Sequence, residues 1–295
     1  MNPGDRAEGG QTAPFVAPAW DLGRVVLAPP GRPLVMGIVN LAPDSFFPGS
    51  RSVGGGPAVE HALRLVAEGA DLIDLGAEST RPGAEPVSAA EERDRLLPVL
   101  EALRPETGVP ISVDTMRAGT ARAALDAGAD AINDISAGTQ DADMLAVAAD
   151  AGCGLVLMHM QGTPRTMQVD PHYQDVLAEV RGWLAARCRL AEDAGVAPAR
   201  LMVDPGIGFG KNLAHNLALL NGLGEVSGGR PLLLGASRKR FIAAVTGAAV
   251  DDRLPGSLAA VVCAWRGGAT MVRVHDVAPT CQFLDVLKAV ADCRT

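Results

Sequence analysis

The chain has 295 residues, 48% of them hydrophobic and 20% charged, with a net charge of −8 and five cysteines. That length suits one large barrel or two ordinary domains with a substantial core, no apolar run is as long as a membrane span, and the acidic balance argues against nucleic acid as the main partner. Cys153, Cys188, Cys263, Cys281 and Cys293 are odd in number, scattered and without CxxC spacing, which speaks against a disulfide framework or a zinc site.

Residues 1–33 carry Gly, Pro, Ala and mixed charge without a basic start and an apolar stretch behind it. They read as a flexible extension and not an export signal, so a cytoplasmic location is the default expectation and the folded domain is expected over 34–295. From there the chain repeats one pattern. An apolar run at 35–39 ends at Asn40 and enters a long Pro-, Ser- and Gly-rich loop, and a helix is expected over 57–69 from Ala58, Ala62, Leu65 and Val66. A second strand at 71–75 leads into GAESTRPGAEPVS, where Ser88 and Glu91 have capping-box spacing for a helix over 89–103. Strand 109–113 ends in Asp114 and precedes an Ala-rich helix over 117–127; strand 131–132 ends at Asn133-Asp134 and precedes a helix over 142–151. Strand 154–158 ends at His159, with a long helix around 176–194. Strand 201–203 ends at Asp204 before a helix near 213–222, and 231–234 runs into GASRKRF with helices at 239–246 and 254–267. The last strand, 270–274, carries Arg273 and is followed by His275 and a helix over 279–291. Eight strands, each followed by helix, predict a single α/β (β/α)8 TIM barrel with its active site at the C-terminal ends of the strands; a doubly wound open sheet is the alternative.

The stretch LMVDPGIGFGK at 201–211 resembles a phosphate loop only superficially. Walker spacing would need Gly in place of Pro205 and Ser or Thr in place of Asn212, and the glycines are spaced GxGxG, not GxGxxG. Polar residues nevertheless end all eight strands: Asn40, Glu78-Ser79-Thr80-Arg81, Asp114, Asn133, His159, Asp204, Ser237-Arg238-Lys239, and Arg273 with His275. Singly, an Asp or Asn after a strand is more readily a helix cap or turn former, by about 2:1. Together, Asp114, Asn133, Asp204 and Lys239 would point from four strands into one pocket, where two carboxylates and an amide could grip the amino and ring N–H groups of a flat heterocycle. Arg273 and His275, two residues apart, suit an anion at the barrel mouth, and Asn40 could share that anion or hold a metal bound to it. The competing reading of Arg273 is an ion pair with a rim aspartate.

The blocks MGIVNLAPDSFF, DLIDLGAESTRPGA, ISVDT, AINDISAG, LMHMQGTPRTMQ, DPGIGFGK, GASRKRF and RVHDV stand in the order found in the dihydropteroate synthases, the folate-pathway transferases inhibited by sulfonamides, and the chain resembles that family over 34–290. The resemblance implies transfer of a hydroxymethyl-dihydropterin from its pyrophosphate ester to 4-aminobenzoate. It implies that Asp114, Asn133, Met158, Asp204, Phe209 and Lys239 hold the pterin, that Asn40, Arg273 and His275 hold the pyrophosphate, with Mg2+ near Asn40, and that Phe46, Thr80, Arg81, Pro82 and Ser237 complete the aminobenzoate site. Asp114, Lys239, Arg273 and His275 are the residues expected to carry catalysis, and a homodimer with no membrane or nucleic-acid partner is expected. Two positions depart from the family pattern, Ala42 for threonine in the first loop and Ala77 for glycine before the EST block. A methyltetrahydrofolate:corrinoid methyltransferase and a non-catalytic pterin-binding paralogue are the alternatives.

Overall fold

A computed structural model describes residues 15–41, 56–78 and 87–293. Two short antiparallel strands come first, β1 (Trp20–Asp21) and β2 (Val26–Leu27). The main unit then alternates β3 (Leu34–Asn40), α1 (Gly56–Ala67), β4 (Leu72–Gly76), α2 (Ala89–Leu103), β5 (Ile111–Asp114), α3 (Ala118–Asp126), β6 (Ala131–Asp134), α4 (Met144–Ala151), β7 (Gly154–Met158), α5 (Val176–Asp193), β8 (Leu201–Asp204), α6 (Leu213–Asn221), α7 (Leu223–Val226), β9 (Leu233–Leu234), α8 (Arg240–Thr246), α9 (Leu254–Arg266), β10 (Met271–Val274) and α10 (Val277–Asp292). The strands β3 to β10 form one parallel sheet in the order β8-β7-β6-β5-β4-β3-β10-β9, and a parallel bridge from Val203 to Leu232 joins its two edges. The sheet is therefore a closed eight-stranded barrel, and the open-sheet alternative falls.

Alternation along each strand sorts the core into two parts. Val35, Val39, Ile73, Leu75, Ile111, Val113, Ile132, Leu155, Leu157, Leu201 and Val203 pack outward with apolar faces of the helices. Leu34, Met36, Leu72, Ala131, Val156, Met202, Leu233 and Met271 fill the interior. Moving toward the C-terminal rim, the same inward face changes character, to Asp74, Ser112, Asn133, Asp204 and Arg273, and this is where the chemistry must lie.

The expected flexible extension over 1–33 needs correcting in its described part. Trp20 is completely buried and Leu22 nearly so, and both pack with the interior residues at the bottom of the barrel. The Trp20 Nε1 donates to the Arg200 carbonyl at 2.8 Å, Arg24 ion-pairs with buried Asp130, and Thr270 donates to the Pro18 carbonyl at 3.1 Å. The β1–β2 hairpin thus plugs the N-terminal end, because eight short strands leave their lowest apolar layer open to water unless something covers it. Residues 1–14 lie outside the described residues.

Local signals behave as their chemistry predicts. The Ser88 hydroxyl caps α2 by accepting from the Glu91 amide at 3.2 Å, and Asn212 forms a reciprocal capping box with His215 at the start of α6. The methyl of Ala77, where glycine is the family habit, is fully buried, and Ala77 adopts no positive φ. The short helix α7 was not anticipated; four residues carry too little periodicity to be read.

Candidate active site

Arg273 sits at the centre of the rim. Its guanidinium donates to Asp74 at 2.6 Å and to Asp114 at 3.0 Å. Asp74, completely buried, also accepts from the Ser112 hydroxyl at 2.7 Å and the Asn133 amide at 3.2 Å. Two of the strand ends expected to converge, those carrying Asp114 and Asn133, are therefore joined to each other and to Arg273 through Asp74, which is not itself a strand-end residue. Asp74 lies inside β4, two residues after Leu72, so alternation puts it on the interior face. A carboxylate interrupting the apolar run LIDLG was the available signal.

A second group faces this network. Asp204 ends β8 and accepts from the Gly206 amide at 2.7 Å. Lys239 lies over the Phe209 ring, 4.7 Å from its centroid, and donates to the Ile207 carbonyl. A side-chain carbon at Gly235 would stand in ordinary contact with both groups, 3.6 Å from an Asp204 carboxylate oxygen and 3.7 Å from the Lys239 ammonium, so Asp204 and Lys239 converge on that residue. Met158, at the end of β7, packs just behind the glycine turn. Across the rim, His275 has its ring nitrogen 3.1 Å from the Ser237 hydroxyl, which links the loops after β9 and β10. Asn40, half-buried, ends β3.

Burial dominates the electrostatics. It pushes the Asp114 carboxyl up to about 7, with Arg273 opposing and Asp74 adding to the rise. Asp204 is likewise raised by burial, against the pull of Lys239, the Gly206 amide, Lys211 and Arg273. Burial lowers Lys239 to about 8, with Asp204 opposing. Burial also works against the charge on Arg273, yet Asp74 and Asp114 hold its pKa above the ordinary guanidinium value. The rim is thus a cluster of alternating charges in low dielectric, well suited to recognise a polar heterocycle and to meet a charge that develops on it.

Of the residues expected around aminobenzoate, Ser237 lies at the rim bonded to His275, whereas Phe46, Thr80, Arg81 and Pro82 lie outside the described residues, as does Ala42. Both borders of the stretch 79–86 are nevertheless gripped by one side chain. Arg117 donates to the Glu78 carboxylate at 2.7 Å and to the Val87 carbonyl at 2.7 Å, and pairs with the buried Glu92 at 3.1 Å. Among the described residues, no group of three or more His, Cys, Asp or Glu side chains could hold a metal ion by itself, and no helix is long and apolar enough to cross a membrane.

Comparison with known proteins agrees with this geometry. Residues 36–275 match the family model described as pterin binding enzyme. A dihydropteroate synthase of Neisseria meningitidis serogroup B is 46% identical over 278 residues, which cover 92% of this chain and 97% of the relative. Among solved structures, Xanthomonas albilineans dihydropteroate synthase with 4-aminobenzoic acid superposes with a TM-score of 0.86 at 46% identity, covering 93% of this chain and 98% of that one. Burkholderia cenocepacia dihydropteroate synthase complexed with 7,8-dihydropteroate gives a TM-score of 0.86 at 46% identity, covering 95% and 99%.

Proposed function

The chain belongs to the family of pterin-binding enzymes, and from that premise we propose that it joins the pyrophosphate ester of hydroxymethyl-dihydropterin to 4-aminobenzoate, giving dihydropteroate and pyrophosphate in folate biosynthesis. The observation that carries the reading is one polar rim at the C-terminal ends of the strands: Asn133 and Asp204 are buried there, Asp114 and Lys239 half-buried, and Arg273 is bonded to Asp114 and to the Asp74 that also holds Asn133. A pterin offers this rim an aminopyrimidine edge for a carboxylate fork, and a ring carbonyl and nitrogens for the amide and ammonium. Met158 and Phe209 supply apolar contact beside the ring.

The bond between the pterin methylene carbon and the pyrophosphate oxygen breaks with its electron pair on oxygen, and the arylamine nitrogen then forms the new bond to carbon and loses a proton. Arg273 and His275 stabilise the charge gathering on the leaving group. For Arg273 this means sharing its guanidinium between the incoming anion and the carboxylates it holds in the free protein. Asp114 and Asp204 favour positive charge on the methylene that the pyrophosphate leaves behind, so the displacement is dissociative and governed by positioning; no cysteine or other nucleophile of the protein is needed. A trapped covalent adduct between the protein and pterin would contradict this route.

Magnesium fits as an ion brought in on the diphosphate. Such an ion is held by one or two protein oxygens with substrate phosphates and water, and the single amide oxygen of Asn40 at the rim suits that donor set better than an all-protein cage would. Asn40 would hold such an ion, which would offset phosphate charge, while Arg273 and His275 meet the leaving group's oxygens. The same reading places Phe46, Thr80, Arg81, Pro82 and Ser237 around the arylamine, where sulfonamides would compete. It takes the chain to be a cytoplasmic homodimer: the five cysteines are free thiols, and Leu213 and Leu217 of α6 and Val245 of α8, on helices in contact, are exposed apolar side chains that a partner copy would cover.

The decisive assay incubates the protein with the pterin pyrophosphate, Mg2+ and 4-aminobenzoate and measures pyrophosphate release that depends on the arylamine. Binding of the pterin without such release would leave a pterin-binding protein and remove the transferase.

A further inference from the structure

Lys211 and His159 form a buried pair that the mechanism above does not use. Lys211 is 2% exposed and His159 5%, although each comes from a loop at the rim. The Lys211 ammonium has three acceptors for its three N–H groups: His159 Nδ1 at 2.9 Å, the Phe209 carbonyl at 2.8 Å and the His159 carbonyl at 3.3 Å. The imidazole in turn packs edge-on against Trp183, with ring centroids 5.0 Å apart. Burial holds His159 down to about 3, so its ring is a neutral acceptor, and lowers Lys211 to about 7, with Asp204 opposing that fall and Lys239 adding to it.

What the pair joins matters more than the pair itself. His159 follows β7, and Phe209 belongs to the glycine turn after β8. The two backbones meet so closely that a side-chain carbon at Gly206, whose φ is +67°, would lie 2.0 Å from the His159 carbonyl oxygen, and one at Gly210, with φ +62°, would lie 2.5 Å from that of Gln161. The outward side of the turn is held as well. Lys239 takes the Ile207 carbonyl, Gln168 the Gly208 carbonyl at 2.7 Å and Tyr173 the Gly210 carbonyl at 2.8 Å. Lys211 therefore sits at the back of a turn whose front carries Phe209 and the contact to Lys239. Its donors are all engaged and it is 2% exposed, so it reaches a ligand through the turn and through its charge on Asp204, not by direct contact.

We propose that Lys211 is a positioning residue for the pterin site: by tying the glycine turn to the end of β7 it sets where Phe209 and the Ile207 carbonyl stand, and through them the place of the Lys239 ammonium. The inference rests on the pterin reading of the pocket. It predicts that Lys211→Met raises KM for the pterin pyrophosphate on the order of tenfold, since the turn loses its buried donor, while KM for 4-aminobenzoate changes by less than about twofold. A role confined to stability would lower the melting temperature and the active fraction but leave both KM values alone. His159→Phe keeps the aromatic contact with Trp183 and removes one acceptor, and a smaller rise in pterin KM, about threefold, is expected; it serves as the test if the Lys211 variant does not fold. Calorimetric titration of the hydroxymethyl-dihydropterin pyrophosphate into the full chain reads the same shift without turnover, so it stands even if the parent protein fails to release pyrophosphate. Unchanged pterin affinity in the folded variants, or equal rises in KM for both substrates, would overturn the positioning role.

Discussion

The two sides of the rim are built on opposite plans. On the β8 side every carbonyl from Ile207 to Gly210 has a donor from another part of the chain or from Lys211, so the wall stands complete before a ligand arrives. On the β10 side the one guanidinium that should meet an anion is shared between Asp74 and Asp114. The first arrangement suits a part of the substrate that stays the same through the reaction, the pterin ring. The second suits a part whose charge changes, since a cation already balanced by two carboxylates can be redistributed as the leaving group departs. Preorganisation and charge compensation are thus divided between neighbouring sectors of one barrel.

The largest test of that division is Arg273→Met. It should lower kcat/KM by on the order of 10³ through loss of leaving-group stabilisation, and destabilise the fold by about 3–5 kcal/mol because Asp74 is left buried without its cation. Retention of activity in a kinetic assay would show that the anion is held elsewhere. Gly206→Ala attacks the other side: the added carbon meets the His159 carbonyl, and the strained φ alone costs about 1–3 kcal/mol. Pterin KM should rise by about tenfold or more, and a crystal structure showing the turn in place with normal KM would break the claim that the wall is set by that contact.

Both tests bear on residues with unequal visibility in the sequence. The barrel and the strand-end residues Asp114, Asn133, Asp204 and Arg273 were legible because parallel strands are buried on both faces and polar residues at their ends stand out. The reading of Arg273 as an anion ligand and its reading as an ion pair were alternatives; in the free protein the ion pair is what stands. Asp74 does not end a strand, and only the inside–outside alternation within LIDLG marks it as facing the interior. The partners of Lys211 were not legible at all, since 52 residues separate it from His159 and no local pattern encodes that meeting. Nor could the β1–β2 hairpin be read, because two-residue strands have no measurable period and Trp20 is buried only by what the rest of the chain brings to it.

A smaller effect separates the charges on the β10 side. Asp114 titrates near 7 when folded and near 3.8 when unfolded. The unfolded chain therefore binds fewer protons between those values, so Asp114 contributes a loss of stability as pH rises from about 4 to 7. Pterin affinity should move the other way, rising through pH 7 as the carboxylate forms. Asp74→Asn removes a negative neighbour and should shift that limb to lower pH in binding titrations; a limb that stays put would dissociate Asp114 from the pH dependence. The smallest effect is expected at Arg117, which grips both borders of 79–86. Arg117→Gln should raise KM for 4-aminobenzoate about threefold with pterin KM unchanged, a loss near that of one part-buried charge-assisted bond.

The hairpin at the barrel floor has a consequence for the order in which the chain can fold. Trp20, Arg24 and Pro18 find their partners at Arg200, Asp130 and Thr270, all made long after them on the ribosome. The first-synthesised described element is therefore among the last able to dock, and its contacts are of the long-range kind that slow folding. Until the final strand emerges, the interior layer of Leu34, Met36 and Leu72 lacks its cover, and a chain started at Leu34 is expected to be prone to aggregate.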